Sequence, residues 1–362
     1  MSSERFRSSL ALKLGVLTVS TLIALGAVEL GFRIYVAKHG LPSEQILGGS
    51  DQSRLEVWLS RHEPGQGLVL GECEHHPILG WVPMGNLHDY KLPGCPPLST
   101  NSVGMRGSEE FTEDKPEGCS RVALIGDSFT FGTHQPDSRT WATGLRASIR
   151  PCEVLNFAVP GYGSDQAVLS LTERALRYEP DVVVWGFFVA DGARSLKQFS
   201  YYAKPRLQLK GNGSLELSDT PVPTPAQLVE RKAGGKMRSV AWQYLFASRR
   251  ASSGNSDSTD ERELLELNRA LLARAQELVH GSGAKLLVLS IPRITYATTP
   301  PEALERGIMA WAEEIGYEAL DLRSVFAGQT EPMYIPGRHF SPRGHRVVAG
   351  AVRKRMMDLG WL

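Results

Sequence analysis

From residue 121 to residue 359 the chain alternates short, almost wholly apolar runs with longer segments whose apolar positions recur every three or four residues. An uninterrupted apolar run bounded by turn residues reads as a strand buried on both faces, and the longer period reads as an amphipathic helix. Strands are therefore predicted at Arg121–Ile125, Glu153–Phe157, Asp181–Phe188, Lys285–Ile291 and Tyr317–Leu320. Helices are predicted at Thr140–Ile149, Asp165–Tyr178, Glu261–Val279, Glu302–Glu314 and Ser341–Leu359. In the second of these, Val168, Leu169, Leu171, Ala175 and Leu176 fall on one stripe. The alternation predicts an α/β fold with a parallel sheet covered on both faces. Segment 197–260 interrupts it. There, Gly211-Asn212-Gly213 separates Arg206–Leu209 from Leu215–Leu217, which signals a β-hairpin, and the Ser/Asp-rich stretch 252–260 reads as a mobile loop. Residues 71–118, rich in Pro and Gly, read as short strands and turns. Residues 34–70 read as a tether with a short helix around Ser53–Ser60.

The N-terminal pattern is different. Arg5, Arg7 and Lys13 precede an apolar run from Leu14 to Val28, which breaks at Glu29 and Arg33. Counted from Phe6 to Phe32, the segment reaches the roughly 20 residues that cross a bilayer. The basic residues on its N-terminal side predict that this end stays in the cytoplasm while the rest is exported. Ala24-Leu25-Gly26 offers small residues for signal cleavage, but the length favours an uncleaved anchor. The expected division is a stub and transmembrane anchor over 1–35, a tether with a small strand-rich segment over 36–98, and a main domain over 99–362 with its insertion at about 197–260.

Composition adds exclusions. With 362 residues, 42% hydrophobic, 22% charged and a net charge of +1, there is material for one large domain plus appendages and no basic stripe for nucleic acid. Four cysteines in an exported chain predict two disulfides. Cys73 and Cys95 flank a short Pro/Gly-rich segment, and Cys119 and Cys152 each precede a strand at one edge of the sheet. No CxxC or HxxxH spacing implies a metal, since His75 and His76 are adjacent, and no GxGxxG or Walker loop implies a nucleotide; no cofactor is expected.

The candidate chemistry lies at strand ends. Val122–Ile125 runs straight into Gly126-Asp127-Ser128, so Ser128 sits just beyond the carboxyl end of a buried strand, where ligands bind in parallel sheets. Thr130 stands where the GxSxG elbow has its second glycine, and read locally the segment is equally a tight turn with a capping side chain. His339 precedes Ser341-Pro342, a helix cap followed by proline at the first helical position, which puts the imidazole on a rigid loop. His345, inside that helix, reads as a packing residue. Gly161 and Gly163 follow the second strand and free backbone N–H groups to face a developing oxyanion.

Together Gly126-Asp127-Ser128, Gly161 and His339 resemble the SGNH/GDSL hydrolase superfamily over about residues 99–357. The run Thr100-Asn101-Ser102-Val103-Gly104-Met105-Arg106-Gly107 resembles the lead-in of its membrane-anchored bacterial members, as do Tyr202-Ala203-Lys204-Pro205-Arg206 and Pro221-Val222-Pro223. The resemblance implies a flavodoxin-like three-layer α/β/α sandwich with a five-stranded parallel sheet. It also implies Ser128 as nucleophile, His339 as base, and the Ser128 and Gly161 amides as the oxyanion hole. Two positions depart from the family pattern. Where the family has Gly-x-Asn-Asp, this chain has Phe188-Val189-Ala190-Asp191, which removes an oxyanion donor and leaves Asp127 and Asp191 as candidate supports. The carboxylate three residues before the histidine is Pro336 here, which leaves a backbone carbonyl to hold the imidazole tautomer. The resulting expectation is an esterase at a bacterial inner membrane, with its catalytic domain outside the cytoplasm, removing acyl groups, acetyl foremost, from an envelope glycan. An O-acyltransferase on the same scaffold and a non-catalytic glycan-binding or scaffold protein are the alternatives.

Overall fold

The structure is a computed structural model that describes residues 2–39, 51, 54–55, 58–59, 68–149, 152–233, 261–336 and 339–362. The stretch read as a mobile loop, 252–260, and most of the tether lie outside the described residues. The chain divides into two units, Met1–Gln66 with Ala226–Asp257, and Gly67–Pro225 with Ser258–Leu362. In the first, a single helix covers Ser2–His39, and its stretch Gly15–Phe32 is long and apolar enough to cross a membrane.

The second unit is built on strands β1 (Leu68–Leu70), β2 (Cys73–His76), β3 (Gly80–Pro83), β4 (Ser120–Gly126), β5 (Cys152–Asn156), β6 (Val182–Phe188), β7 (Arg206–Leu209), β8 (Leu215–Ser218), β9 (Lys285–Ile291) and β10 (Glu318–Asp321). Five of them form one parallel sheet in the order β10-β9-β6-β4-β5. The chain starts in the middle, goes to one edge, and returns across the start to the other, a doubly wound order with its switch point at β4. Side chains alternate between faces and both sets are buried. Val122, Leu124, Val182, Val184, Leu287 and Leu289 join one core, while Ala123, Ile125, Val183, Trp185, Phe187 and Val288 are equally buried on the other parity. Continuous apolar strands are the consequence of this two-sided cover.

The first face packs helices Trp141–Ser148 and Pro342–Asp358 through Trp141, Leu145, Val348, Val352 and Met356. The other face carries the helical segment Ser164–Tyr178 and helices Glu261–Gly281 and Ala303–Ile315. The expected hairpin forms as β7 and β8, with its turn over Lys210–Ser214. β1, β2 and β3 make a separate antiparallel sheet. Val222 of the insertion leans on it, accepting from the His75 ring at 2.8 Å and donating its N–H to Pro77.

Two packing features set up the site. Thr130, in the short helix Ser128–Phe131, is pressed against the bare backbone of β6: a Cβ on Gly186 would lie 2.0 Å from Thr130 Oγ1. Thr130 is thus accommodated by a glycine in the neighbouring strand. In the last helix, His345 is buried and its Nδ1 accepts the Trp141 N–H at 3.0 Å, joining the two helices of one face. Burial, with lesser contributions from His339 and Arg106, pushes the His345 pKa down to about 3.

Gly186→Ala drives a methyl into the Thr130 side chain, and overpacking of this kind costs about 1–3 kcal/mol; thermal unfolding should show a lower Tm, and an unchanged Tm would contradict the packing. Because folded His345 has a pKa below its unfolded value of 6.5, the unfolded chain binds the extra proton. Its contribution to stability is complete above about pH 6.5 and is lost as pH falls towards 3. His345→Asn keeps an acceptor for Trp141 but does not titrate, so its Tm should fall less steeply between pH 6.5 and 4 than that of the wild type; parallel slopes would contradict the assignment.

Candidate active site

The carboxyl end of β4 turns sharply. Gly126 has φ +140, Asp127 caps the following helix by accepting the Phe129 N–H at 2.9 Å, and Ser128 opens that helix. In a first turn the Ser128 N–H has no intrahelical acceptor to reach. The Ser128 hydroxyl is 8% exposed at residue level, so the turn leaves it at the surface of the sheet end without releasing it to solvent.

His339 arrives from the far end of the sequence. The loop before the last helix is closed by Ile335 N–H to the His339 carbonyl at 2.9 Å and by Ser341 N–H to the Met333 carbonyl at 2.8 Å. Ser341 then caps the helix by accepting the Gly344 N–H, as its sequence context predicted. The Phe129 ring lies beside the imidazole with centroids 4.8 Å apart. His339 Nε2 lies 2.7 Å from Ser128 Oγ, within the reach that nucleophile activation requires.

On its other side the imidazole meets a residue that the sequence reading missed. His339 Nδ1 lies 2.7 Å from His134 Nδ1, a ring nitrogen in the place assigned to a backbone carbonyl. Pro336, at the family's carboxylate position, is exposed and its ring carries no acceptor. His134 sits six residues after Ser128 in the turn leaving the nucleophile's helix, with φ +68. A second histidine so near the candidate serine was the available signal.

Gly161 follows β5 with φ +82, and a Cβ there would lie 2.4 Å from the Tyr201 ring, so the residue is held to glycine by both conformation and space. Tyr201 belongs to the start of the insertion. That segment is anchored by Lys204, whose fully buried ammonium meets Asp165 Oδ2 at 2.5 Å, and by Tyr202, whose hydroxyl donates to the Pro223 carbonyl. Tyr201, beside Gly161, immediately precedes the run Tyr202–Arg206 that these contacts hold in place.

Asp127 and Asp191 are both buried, and Arg194 lies between them. One Arg194 nitrogen reaches Asp127 Oδ2 at 3.2 Å, the Tyr162 carbonyl at 3.0 Å and Asp191 Oδ1. Burial, then the Asp127 charge, hold the Asp191 carboxyl well above the usual carboxylate range, with Arg194 opposing. Burial alone would lower Arg194, but the carboxylates of Asp191 and Asp127 override it and hold the guanidinium firmly protonated. Arg194 thus ties the loop of Ser128 to the loop of Gly161. Asp127 Oδ2 also lies 3.3 Å from Ser128 Oγ. Asp191 serves this ion cluster, and Arg194 is a second residue the sequence reading passed over; its i, i+3 spacing from Asp191 was the signal.

The disulfide expectation is not met among the described residues. Cys73 is a buried thiol in β2, with burial and the neighbouring Glu72 charge pushing its pKa up, and Cys119 is a half-buried thiol. In the sheet Cys152 pairs with Ser120, one residue on from Cys119. Cys73 pairs across to Leu70 and Pro83, whereas the Cys95 N–H turns back onto Leu92.

Comparison with known proteins places the geometry. The chain is similar in structure to TesA (16% identity, 66% of this chain and 99% of that one, TM-score 0.40) and to the acetyl xylan esterase AlAXEase (15%, 65% and 98%, 0.41). It is likewise similar to the psychrotrophic esterase EstA from Pseudoalteromonas sp. (12%, 66% and 99%, 0.39). A search among curated proteins finds no match. The sequence pattern of the GDSL-like lipase/acylhydrolase family matches residues 124–347, which is more than half of the chain and includes Ser128, Gly161 and His339. On that match the chain belongs to the GDSL-like lipase/acylhydrolase family, the SGNH ester hydrolases.

Proposed function

We propose that the protein is an exported, membrane-anchored serine esterase that removes short acyl groups, acetyl foremost, from a carbohydrate or envelope glycan. The observation that carries the catalytic part is the 2.7 Å contact between Ser128 Oγ and His339 Nε2. In this reading Ser128 Oγ attacks the ester carbonyl as His339 takes its proton, and the tetrahedral oxyanion faces the Ser128 and Gly161 N–H groups. Collapse breaks the ester C–O bond, and His339 returns the proton to the leaving alcohol. Water then repeats the sequence on the acyl-serine. Arg194, fixed between Asp127 and the Tyr162 carbonyl, keeps the two oxyanion loops in register.

The substrate class rests on the surroundings of the pair. Half-buried Tyr201, whose ring lies beside Gly161, supplies an aromatic group of the kind a sugar ring lies against. Membrane anchoring is supported by the helix stretch Gly15–Phe32, of mean hydropathy 1.8, behind Arg5, Arg7 and Lys13. A non-catalytic glycan binder would have no use for a serine–histidine contact at this distance.

Full-length protein in detergent should hydrolyse p-nitrophenyl acetate faster than the butyrate and release acetate from an acetylated glycan. Ser128→Ala and His339→Ala should each lower kcat by about a thousandfold or more. Turnover unaffected by Ser128→Ala would sink the assignment, and acyl transfer to an added sugar in place of acetate release would turn it towards the transferase.

A further inference from the structure

We infer that His134 is the positioning residue for the base, so that the site works as a Ser128–His339–His134 relay of hydrogen bonds in which an imidazole stands where a carboxylate is usual. The inference rests on the reading of Ser128 and His339 as nucleophile and base. Two Nδ1 atoms 2.7 Å apart share one hydrogen, so one ring donates and the other accepts. For His339 Nε2 to accept the Ser128 proton, the His339 proton must be on Nδ1. His134 Nδ1 is then the acceptor, with its own proton on Nε2. As the Ser128 O–H bond breaks and the O–C bond forms, the proton passes to His339 Nε2. The Nδ1–H stays donated to His134, and no proton moves to His134.

The surroundings hold His134 in place on both sides. Gly132 and Thr133 donate their N–H groups to the Ser128 carbonyl at 3.0 Å, and Gln135 N–H donates to the Gly132 carbonyl at 3.1 Å. The Gln135 side chain donates to the Phe340 carbonyl, next to His339, at 3.2 Å. Arg106 donates to the Gln135 carbonyl at 2.7 Å while its Nε pairs with Asp137 Oδ1 at 2.6 Å. The turn that carries His134 is therefore tied to the nucleophile, to the base loop and to the lead-in segment. The two imidazole rings lie with centroids 4.9 Å apart.

The left-handed backbone of residue 134, φ +68, makes Gly, Asn and Asp the substitutions that leave the turn unstrained. Asn and Asp also place an oxygen acceptor near the position of the lost Nδ1, whereas Gly places none. The experiment measures kcat, KM and Tm of the full-length protein and its His134→Gly, His134→Asn and His134→Asp variants on p-nitrophenyl acetate, with and without added imidazole. His134→Gly should lose roughly 10- to 100-fold in kcat, the scale of a misoriented catalytic group, with KM changed less than about threefold. Imidazole should restore part of that loss, and His134→Asn and His134→Asp should stay within a few-fold of the wild type. An undiminished His134→Gly would overturn the inference alone, as would equal losses in all three variants without response to imidazole. Absence of Ser128-dependent turnover in the wild type would instead overturn the reading beneath it, and this inference with it.

Discussion

A serine hydroxyl is a poor nucleophile until an imidazole nitrogen is placed to take its proton, and that requirement joins the two ends of the main domain. Ser128 and His339 are 211 residues apart in sequence and 2.7 Å apart in space. The sheet order makes this possible. β4 is an inner strand and ends in a turn that brings Ser128 to the sheet end, while the last helix packs on the same core through Val348, Val352 and Met356 and delivers the loop before its own N-terminus. Thr130 fits closely against Gly186 next to Ser128, and Ser341 caps the helix that follows the His339 loop.

The second constraint is charge. Asp127 and Asp191 are buried with one guanidinium between them, and a buried carboxylate without such a partner would be strongly disfavoured. Arg194 therefore has a structural reason to be where it is, and its bond to the Tyr162 carbonyl extends that reason to the glycine loop. The same neighbourhood lacks the asparagine and the aspartate of the family pattern, and His134 Nδ1 lies beside His339 Nδ1.

Much of this was legible in the residues. Strands β4, β6 and β9 were legible because each is a short apolar run buried on both faces, and β9 falls on the predicted residues, Lys285–Ile291. The hairpin was marked by Gly211-Asn212-Gly213, and the cap of the last helix by Ser341-Pro342. What periodicity does not carry is contact across the chain. His134 lies in a turn with no pattern around it, and its meeting with His339 depends on the Arg106 and Gln135 hydrogen bonds, which join distant segments. Arg194 looked like an ordinary residue near a helix end. The pairing of Cys152 with Ser120, one residue on from Cys119, is likewise invisible to spacing.

The central claim is that Ser128 attacks and that the Ser128 and Gly161 amides receive the oxyanion. The most direct measurement is a crystal structure of the protein after reaction with a fluorophosphonate. The account predicts phosphorus bonded to Ser128 Oγ, with its phosphoryl oxygen within hydrogen-bond distance of both amides and His339 Nε2 beside the remaining ester oxygen. A label on another residue, or a phosphoryl oxygen turned away from Gly161, would contradict it.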